Sequence, residues 1–144
     1  MINKKTLRHN IRERWLEALF EFAHLEYQRR LWIEADYPGY VGDSGEAFCQ
    51  YFNDLDLENG YDKFLKNGFV SQLEVDIVSD FHHQLDCYIS RPEKQSLADK
   101  KILKDIEWLN LTEIAKTNWE KLKSIIGDKS ELKYMDSLET KFLK

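Results

Sequence analysis

The most regular apolar pattern in the sequence is FVSQLEVDIVSDFHHQLDCYI, which covers residues 69–89. Its apolar residues recur at steps of three and four, the spacing that places side chains on one face of an α-helix. They are Phe69, Val70, Leu73, Ile77, Phe81, Leu85 and Tyr88 or Ile89. The stretch therefore predicts a long amphipathic helix that packs one face against other helices.

Similar apolar spacing predicts helices on both sides of this stretch. The pattern between Thr6 and Ile33 is typical of either one long helix or two helices with a bend near His24. A proline and three glycines between residues 36 and 45 then break the pattern, and Asp43 with Glu46 predicts the capping box of the next helix. Beyond residue 89, further helices are predicted over residues 96–109, 110–126 and 130–143, with Asn110 and Glu113 as a second capping box.

The sequence lacks the alternation of apolar and polar residues, rich in β-branched side chains, that is typical of strands. Its 144 residues fit one domain, since domains typically hold ~100–200 residues. We therefore expect an all-α, single-domain bundle of five to seven helices over residues 1–144.

Composition narrows the class of protein further. No run approaches the ~18 apolar residues of a membrane span, and the polar start between Met1 and Arg14 is unlike a signal peptide. Cys49 and Cys87 lie far apart in the sequence without CxxC spacing, which favours reduced thiols in the cytosol. We expect a cytoplasmic protein that does not contact the membrane.

The charges are distributed unevenly along the chain. Residues 1–34 and residues 91–144 each carry a net charge of +2, whereas residues 35–90 hold eleven carboxylates against two lysines, a net charge of −9. Such a segment repels nucleic acid, whose binding needs clustered Lys and Arg. It attracts a basic protein and accelerates association with it. The charge pattern favours a protein partner, although acidic helices also serve solubility alone.

Motifs of catalysis and cofactor binding are missing from the sequence: it has no HExxH, no P-loop, no GxGxxG and no GxSxG. The pairs Glu21-x-x-His24 and Asp80-x-x-His83 match part of the ligand pattern of di-iron bundles. They define an alternative hypothesis, a small metal-binding protein or enzyme, against the simpler interpretation that both histidines are solvated or capping. We favour a protein that is not an enzyme and needs no cofactor.

The predicted interface consists of the two loops that flank the helix starting near Asp43. Tyrosine supplies rigid contact area and carboxylates supply charge complementarity, a combination suited to a protein interface. In an extended segment 54–58 the acidic residues would share one side, with Leu55 and Leu57 facing inward. The predicted partner-binding residues are Asp36, Tyr37, Tyr40, Asp43, Asp54, Asp56 and Glu58.

Two simpler interpretations concern the same region. The tyrosines would cover the edge of the core while the acidic side chains are only solvated. Of the adjacent arginines Arg29 and Arg30, one is expected to form a structural ion pair with Asp54 or Asp56, because Arg supports bidentate pairing with a carboxylate.

The segments WLEAL (15–19), EYQRRLW (26–32) and GEAFCQYFNDLDL (45–57) resemble a family of small, uncharacterised bacterial helical proteins. Members of that family share an E-Y-Q-R-R-x-W signature followed by an acidic D-x-D-L-like segment, and residues 12–89 of this chain follow the pattern. The chain departs from it at His24-Leu25, where the family pattern has an Asp-Pro pair that starts a new helix.

The segment YFNDLDL (51–57), with its following turn and long helix, also resembles helical immunity proteins of contact-dependent growth inhibition systems. Such proteins bind the C-terminal toxin domain of a delivered effector, often a nuclease, and block its active site. The resemblance implies a cognate toxin as partner and an acidic surface that covers a basic active site.

Overall fold

The computed structural model describes residues 3–144. Within these residues, two π-helical turns are present, Arg29–Ile33 and Cys49–Asp54. The nine α-helices of the described chain are α1 Lys4–Ala23, α2 Leu25–Gln28, α3 Ser44–Phe48, α4 Asp62–Lys66, α5 Gln72–Ser90, α6 Pro92–Gln95, α7 Asp99–Ile102, α8 Ile106–Ile125 and α9 Lys129–Phe142.

The predicted all-α class is confirmed: residues 3–144 contain helices, turns and loops but no strand. The predicted number of helices, five to seven, is too low because several helices have only one turn. The capping box predicted at Asn110 is also wrong. Helix α8 starts at Ile106, where the Asp105 side chain accepts a hydrogen bond from the Glu107 N–H, so Asn110 lies inside the helix.

Helix α8 occupies the centre of the fold, because it packs against both α1 and α5, while α9 packs against α1. Three tryptophan side chains on α1 and α8 are almost completely buried and supply much of the apolar core: Trp15, Trp108 and Trp119. The described chain contains no helix with the length and apolarity needed to cross a bilayer.

A buried charge network joins α1 to α5 and α9. The Arg12 guanidinium contacts Glu74 (Nη2 to Oε2, 2.8 Å) and Glu131 (Nε to Oε2, 2.5 Å), and all three side chains are buried. Burial acts to raise the pKa of Glu74, but hydrogen bonds from Arg12 and Ser71 outweigh it and lower the pKa. Glu74 also completes a capping box with Ser71, which fixes the start of α5.

A second buried network consists of hydrogen-bonded aromatic side chains. The Trp15 Nε1–H donates to the Tyr61 hydroxyl (2.8 Å), which is bonded to the Tyr51 hydroxyl (2.8 Å), which in turn contacts His82 Nδ1 (2.8 Å). These bonds satisfy polar groups that would otherwise be costly inside the core. Burial lowers the pKa of His82.

The chain bends sharply at His24, which resolves the alternative left open by the sequence. His24 has extended backbone geometry between α1 and α2 and therefore ends α1 at Ala23. The Gln28 Nε2–H₂ group then donates to the carbonyls of Glu21 (2.8 Å) and Phe22 (3.1 Å) at the end of α1. The last carbonyls of a helix lack partners within it, so these bonds hold α2 and its π-helical turn beside the end of α1.

Candidate functional site

The bend at His24 helps to form a solvent-open cavity of about 210 Å³ between α1, α3, the loop around residues 40–42 and α9. We call it the acidic cleft. Three carboxylates from α1 and α3 line it together with four aromatic rings, and none of its lining side chains in the described chain is cationic. These residues are Glu17, Glu21, Glu46, Phe20, Tyr27, Tyr40 and Phe142.

Glu21 is the most buried of the three carboxyl groups that line the acidic cleft. Its side chain is only 8% exposed, although it carries a carboxyl group. The Trp32 Nε1–H, from the π-helical turn after α2, donates to Glu21 Oε2 at 2.8 Å. The other oxygen, Oε1, has no hydrogen-bond donor or cation as partner within residues 3–144, and the Glu21 side chain lines the cavity. Glu21 is thus a buried carboxyl group in which one of the two oxygens has no partner within the described chain.

The electrostatic surroundings of Glu21 favour its neutral form. Burial raises the pKa of Glu21 to about 7; the hydrogen bond from Trp32 acts to lower it, and the nearby carboxylates of Glu46, Asp43 and Glu17 raise it further. A carboxyl group with this pKa exchanges its proton near neutral pH. Strongly shifted pKa values of this kind are concentrated at functional sites.

Two neighbouring contacts shape the walls of the cleft. The Gly42 backbone lies so close to Leu31 that a Cβ atom at residue 42 would stand 3.1 Å from Leu31 Cδ2. This close approach brings the loop with Tyr40 and Val41 against the π-helical turn. On the opposite side, the Tyr134 hydroxyl of α9 donates to Glu17 Oε1. The cleft is therefore built from segments that are far apart in the sequence.

Only part of the predicted interface adjoins this cleft. Tyr40 lines it and is 41% exposed, and Asp43 caps α3 by accepting a hydrogen bond from the Glu46 N–H at 2.7 Å. Asp54 lines a second small cavity with Arg14, Glu17 and Gln50, and Glu17 and Gln50 also line the acidic cleft. A continuous surface thus runs from Tyr40 to Asp54.

Tyr37, one of the predicted contact residues, is buried at the edge of the core. Its ring is buried, the Arg30 guanidinium lies 4.6 Å from the ring centre, and its hydroxyl donates to the Phe142 carbonyl. The apolar body of tyrosine packs well at the edge of a core when its hydroxyl finds an acceptor. Tyr37 therefore covers the core edge, as the simpler interpretation expected, whereas Tyr40 stays accessible.

The acidic segment 54–58 places its side chains as expected but by a different backbone path. Leu55 and Leu57 are buried, while Asp54, Asp56 and Glu58 are exposed. Instead of an extended strand, the end of the π-helical turn and a left-handed residue (Asp56, φ 55°) produce this alternation. Asp56 also pairs with Lys63 at 3.3 Å on the surface.

The partners predicted for the two arginines are wrong. Arg29 pairs with Glu26 (2.5 Å) and with Glu34, while Arg30 pairs with Asp36 (3.0 Å). These carboxylates are close in sequence, so the ion pairs form locally and leave Asp54 out. Among the eleven carboxylates between residues 35 and 90, ion pairs within the described chain involve only Asp36, Asp56 and Glu74.

The four alternative metal ligands are not brought together. His24 Nδ1 contacts the Phe20 carbonyl at 2.9 Å and its ring packs on Phe20, whereas Glu21 faces Trp32 and the cleft. On α5, Asp80 accepts a hydrogen bond from Gln84, and His83 Nε2 lies 3.7 Å from the exposed Cys87 Sγ. Residues 3–144 hold no group of three or more His, Cys, Asp or Glu side chains placed to bind a metal ion.

Sequence reasoning missed Glu17 and Glu46 as site residues and assigned Glu21 to a metal. One signal could have indicated Glu21: it is a lone carboxyl group within the apolar run Leu19, Phe20, Phe22 and Ala23. A charged side chain on the core face of a helix is seldom fully buried without a partner. Comparisons with protein-family models, with curated proteins and with solved structures found no match to this chain.

Proposed function

We propose that this chain is a cytoplasmic immunity protein, which binds a cognate toxin domain and neutralises it by covering a basic active site. The observation that carries the proposal is the convergence of three carboxyl groups without an ion-pair partner in the described chain on one solvent-open cleft that has no cation in its lining. Lysines from the two ends of the chain do not neutralise these groups in the described residues. The resemblance of segment 51–57 to immunity proteins agrees with this arrangement.

The charge and shape of the surface suit a basic protein partner of this kind. Exposed carboxylates along α1 and α3 steer a basic surface toward the cleft, because electrostatic attraction raises association rates by about 10–10³-fold. Tyr40 and Val41 add exposed apolar area beside the charges, and Val41 is 85% exposed. Apolar contacts that surround buried charges exclude water and strengthen an interface.

Co-expression tests the proposal directly. A toxin domain encoded beside the gene of this chain is expressed in bacteria with and without the chain, and growth is measured. Protection of the cells, together with a purified one-to-one complex, is the expected result. A toxin that remains lethal and fails to bind would overturn the proposed function.

Charge reversal then locates the binding surface. The double variant Glu46→Lys/Asp54→Lys should associate at least tenfold more slowly than the unchanged protein at low salt, measured by stopped-flow fluorescence. The matched control is Asp76→Lys/Asp80→Lys, which changes the net charge equally at exposed positions on α5 outside the cleft. Equal slowing by both double variants would show that overall charge, and not the cleft, directs binding.

A further inference from the structure

We propose that the acidic cleft receives the guanidinium group of an arginine side chain presented by a protein partner, with Glu21 as its principal ion-pair acceptor. This inference rests on the proposed function only for the origin of the arginine. The binding site itself follows from the geometry of the cleft in the isolated chain.

The first argument is a buried carboxyl side chain with one oxygen that lacks a partner in the described chain. Glu21 is more than nine-tenths buried, and its Oε1 meets neither a donor nor a cation within residues 3–144. Glu17 and Glu46 add two carboxylates to the same lining, while Asp43 lies close enough to act on Glu21 electrostatically. A cation that enters the cleft therefore meets several carboxylates, and the Lys141 ammonium stands outside the lining, against the rings of Tyr40 and Phe142.

The second argument is the aromatic wall. Tyr27, Tyr40 and Phe142 line the cleft, and aromatic faces attract cations, Arg more often than Lys. This chain already uses two of these rings in that way: Lys141 Nζ lies 4.7 Å from the ring centre of Tyr40 and 5.2 Å from that of Phe142. Lys141 also donates to the Tyr40 hydroxyl and adjoins the rim, outside the residues that line the cleft.

The third argument is size and shape. The cavity of about 210 Å³ is smaller than the ~300–1,000 Å³ typical of sites for drug-sized ligands, so it suits a single side chain. A planar guanidinium stacks on aromatic rings and binds a carboxylate through two parallel hydrogen bonds from separate nitrogens, a geometry that the single nitrogen of an ammonium lacks. The combination of rings and carboxylates thus favours arginine over lysine.

Proton exchange by Glu21 must accompany this binding. The titratable groups that face Glu21 are Glu17 on α1, Asp43 and Glu46 at the start of α3, Tyr27 on α2 and Tyr40 in the loop. Since only ionised Glu21 forms the ion pair, a bound guanidinium lowers the pKa of Glu21, and binding strengthens as the pH rises from 5.5 to 8.

The Trp32 indole N–H reports on the test because it donates to Glu21. The ¹⁵N-labelled full-length chain is titrated at pH 8 and low salt with N-acetyl-arginine amide. We expect a saturable shift of the Trp32 indole resonance, with the other three indoles (Trp15, Trp108 and Trp119) as internal controls. The affinity should fall at least tenfold at pH 5.5 and be lost in Glu21→Gln, but remain unchanged in Glu113→Gln, an exposed carboxyl on α8.

Four other probes distinguish the source and the chemistry of the cation. N-acetyl-citrulline amide is the neutral analogue, and equal binding of it would overturn the role of charge. Tighter binding of N-acetyl-lysine amide would overturn the guanidinium assignment. Preference for spermidine would identify a free polyamine as the ligand, and preference for Mg²⁺ would identify a metal site. Either result would overturn the proposal. A Trp32 indole resonance that does not shift with any cation would also overturn it.

The two proposals fail in different ways. If the cleft binds the arginine probe but no toxin is neutralised, the site stands and the proposed function falls. If Glu21→Gln neutralises the toxin with undiminished affinity, the proposed function stands and the arginine site is wrong.

Discussion

Replacing Glu21 by Gln should stabilise the protein at alkaline pH. In the folded chain burial raises the pKa of Glu21 to about 7 from its ordinary value of 4.5. Folding therefore favours the protonated form, and the stability that this form provides is fully present below pH 4.5 and lost as the pH rises through 7. Gln stays neutral at every pH and can still accept the hydrogen bond from Trp32.

The expected size of the effect follows from the difference between the two pKa values. One pKa unit corresponds to about 1.4 kcal/mol, so the ionised carboxylate costs about 3 kcal/mol of unfolding free energy at pH 8. Glu21 is only 8% exposed, so solvent screens this cost little. The free energy of unfolding of Glu21→Gln should exceed that of the unchanged protein by about this amount at pH 8.

Urea denaturation followed by tryptophan fluorescence measures this difference at several pH values between 4 and 8.5. Other groups also titrate in this range, including His24 and His82, whose pKa values burial lowers. Their contribution is common to both proteins and cancels in the difference between the two curves. We expect that difference to grow with pH between 4.5 and 7, whereas Glu113→Gln should give a flat difference within about 0.5 kcal/mol. A flat or falling difference for Glu21→Gln would refute the assignment of Glu21 as a buried, unpaired carboxyl group.

Three further substitutions test other parts of the structure. Arg12→Met should lower the free energy of unfolding, measured by urea denaturation, by about 3–5 kcal/mol, because it leaves Glu74 and Glu131 buried without a cation. This loss should shrink when both carboxylates are also changed to Gln. Tyr61→Phe should lower the free energy of unfolding by about 1–3 kcal/mol, because it leaves the buried Trp15 N–H without an acceptor. A loss no greater than that of Tyr134→Phe, at a half-buried tyrosine, would contradict the buried network. Trp32→Phe should raise the pKa of Glu21 further, because it removes the hydrogen bond that favours the charged carboxylate. The pKa is measured by ¹³C NMR of the Glu21 carboxyl group. An unchanged or lower pKa would show that this bond is unimportant.

Local signals in the sequence predict much of the helical structure. The apolar spacing of residues 69–89 corresponds to α5, although the helix starts later, at Gln72, because the Ser71–Glu74 capping box sets its first turn. The break before Asp43 and the cap that Asp43 provides are confirmed. The capping box predicted at Asn110 is wrong because the Asp105 side chain caps the helix one turn earlier, at Ile106.

The candidate site was harder to predict because its residues converge only in the folded chain. Phe142 and Tyr40 meet across about a hundred residues of sequence, and their rings lie 5.3 Å apart. Periodicity assigns a residue to a face of its own helix but does not say which other segment covers that face. The charge count indicated an acidic surface correctly in sign, but Glu17 and Glu21 come from the N-terminal segment, whose net charge is positive.

The buried carboxyl groups of this chain have two kinds of surroundings. Among the described residues, Glu21, Glu74 and Glu131 are the buried carboxylates. Glu74 and Glu131 share one buried arginine, which lies at the junction of three helices and compensates the cost of their burial. Glu21 has no such partner and instead borders an open cavity surrounded by further negative charge. Two buried carboxylates are thus paired inside the fold, whereas the third has no cation within the described chain, and the proposed arginine site accounts for this difference.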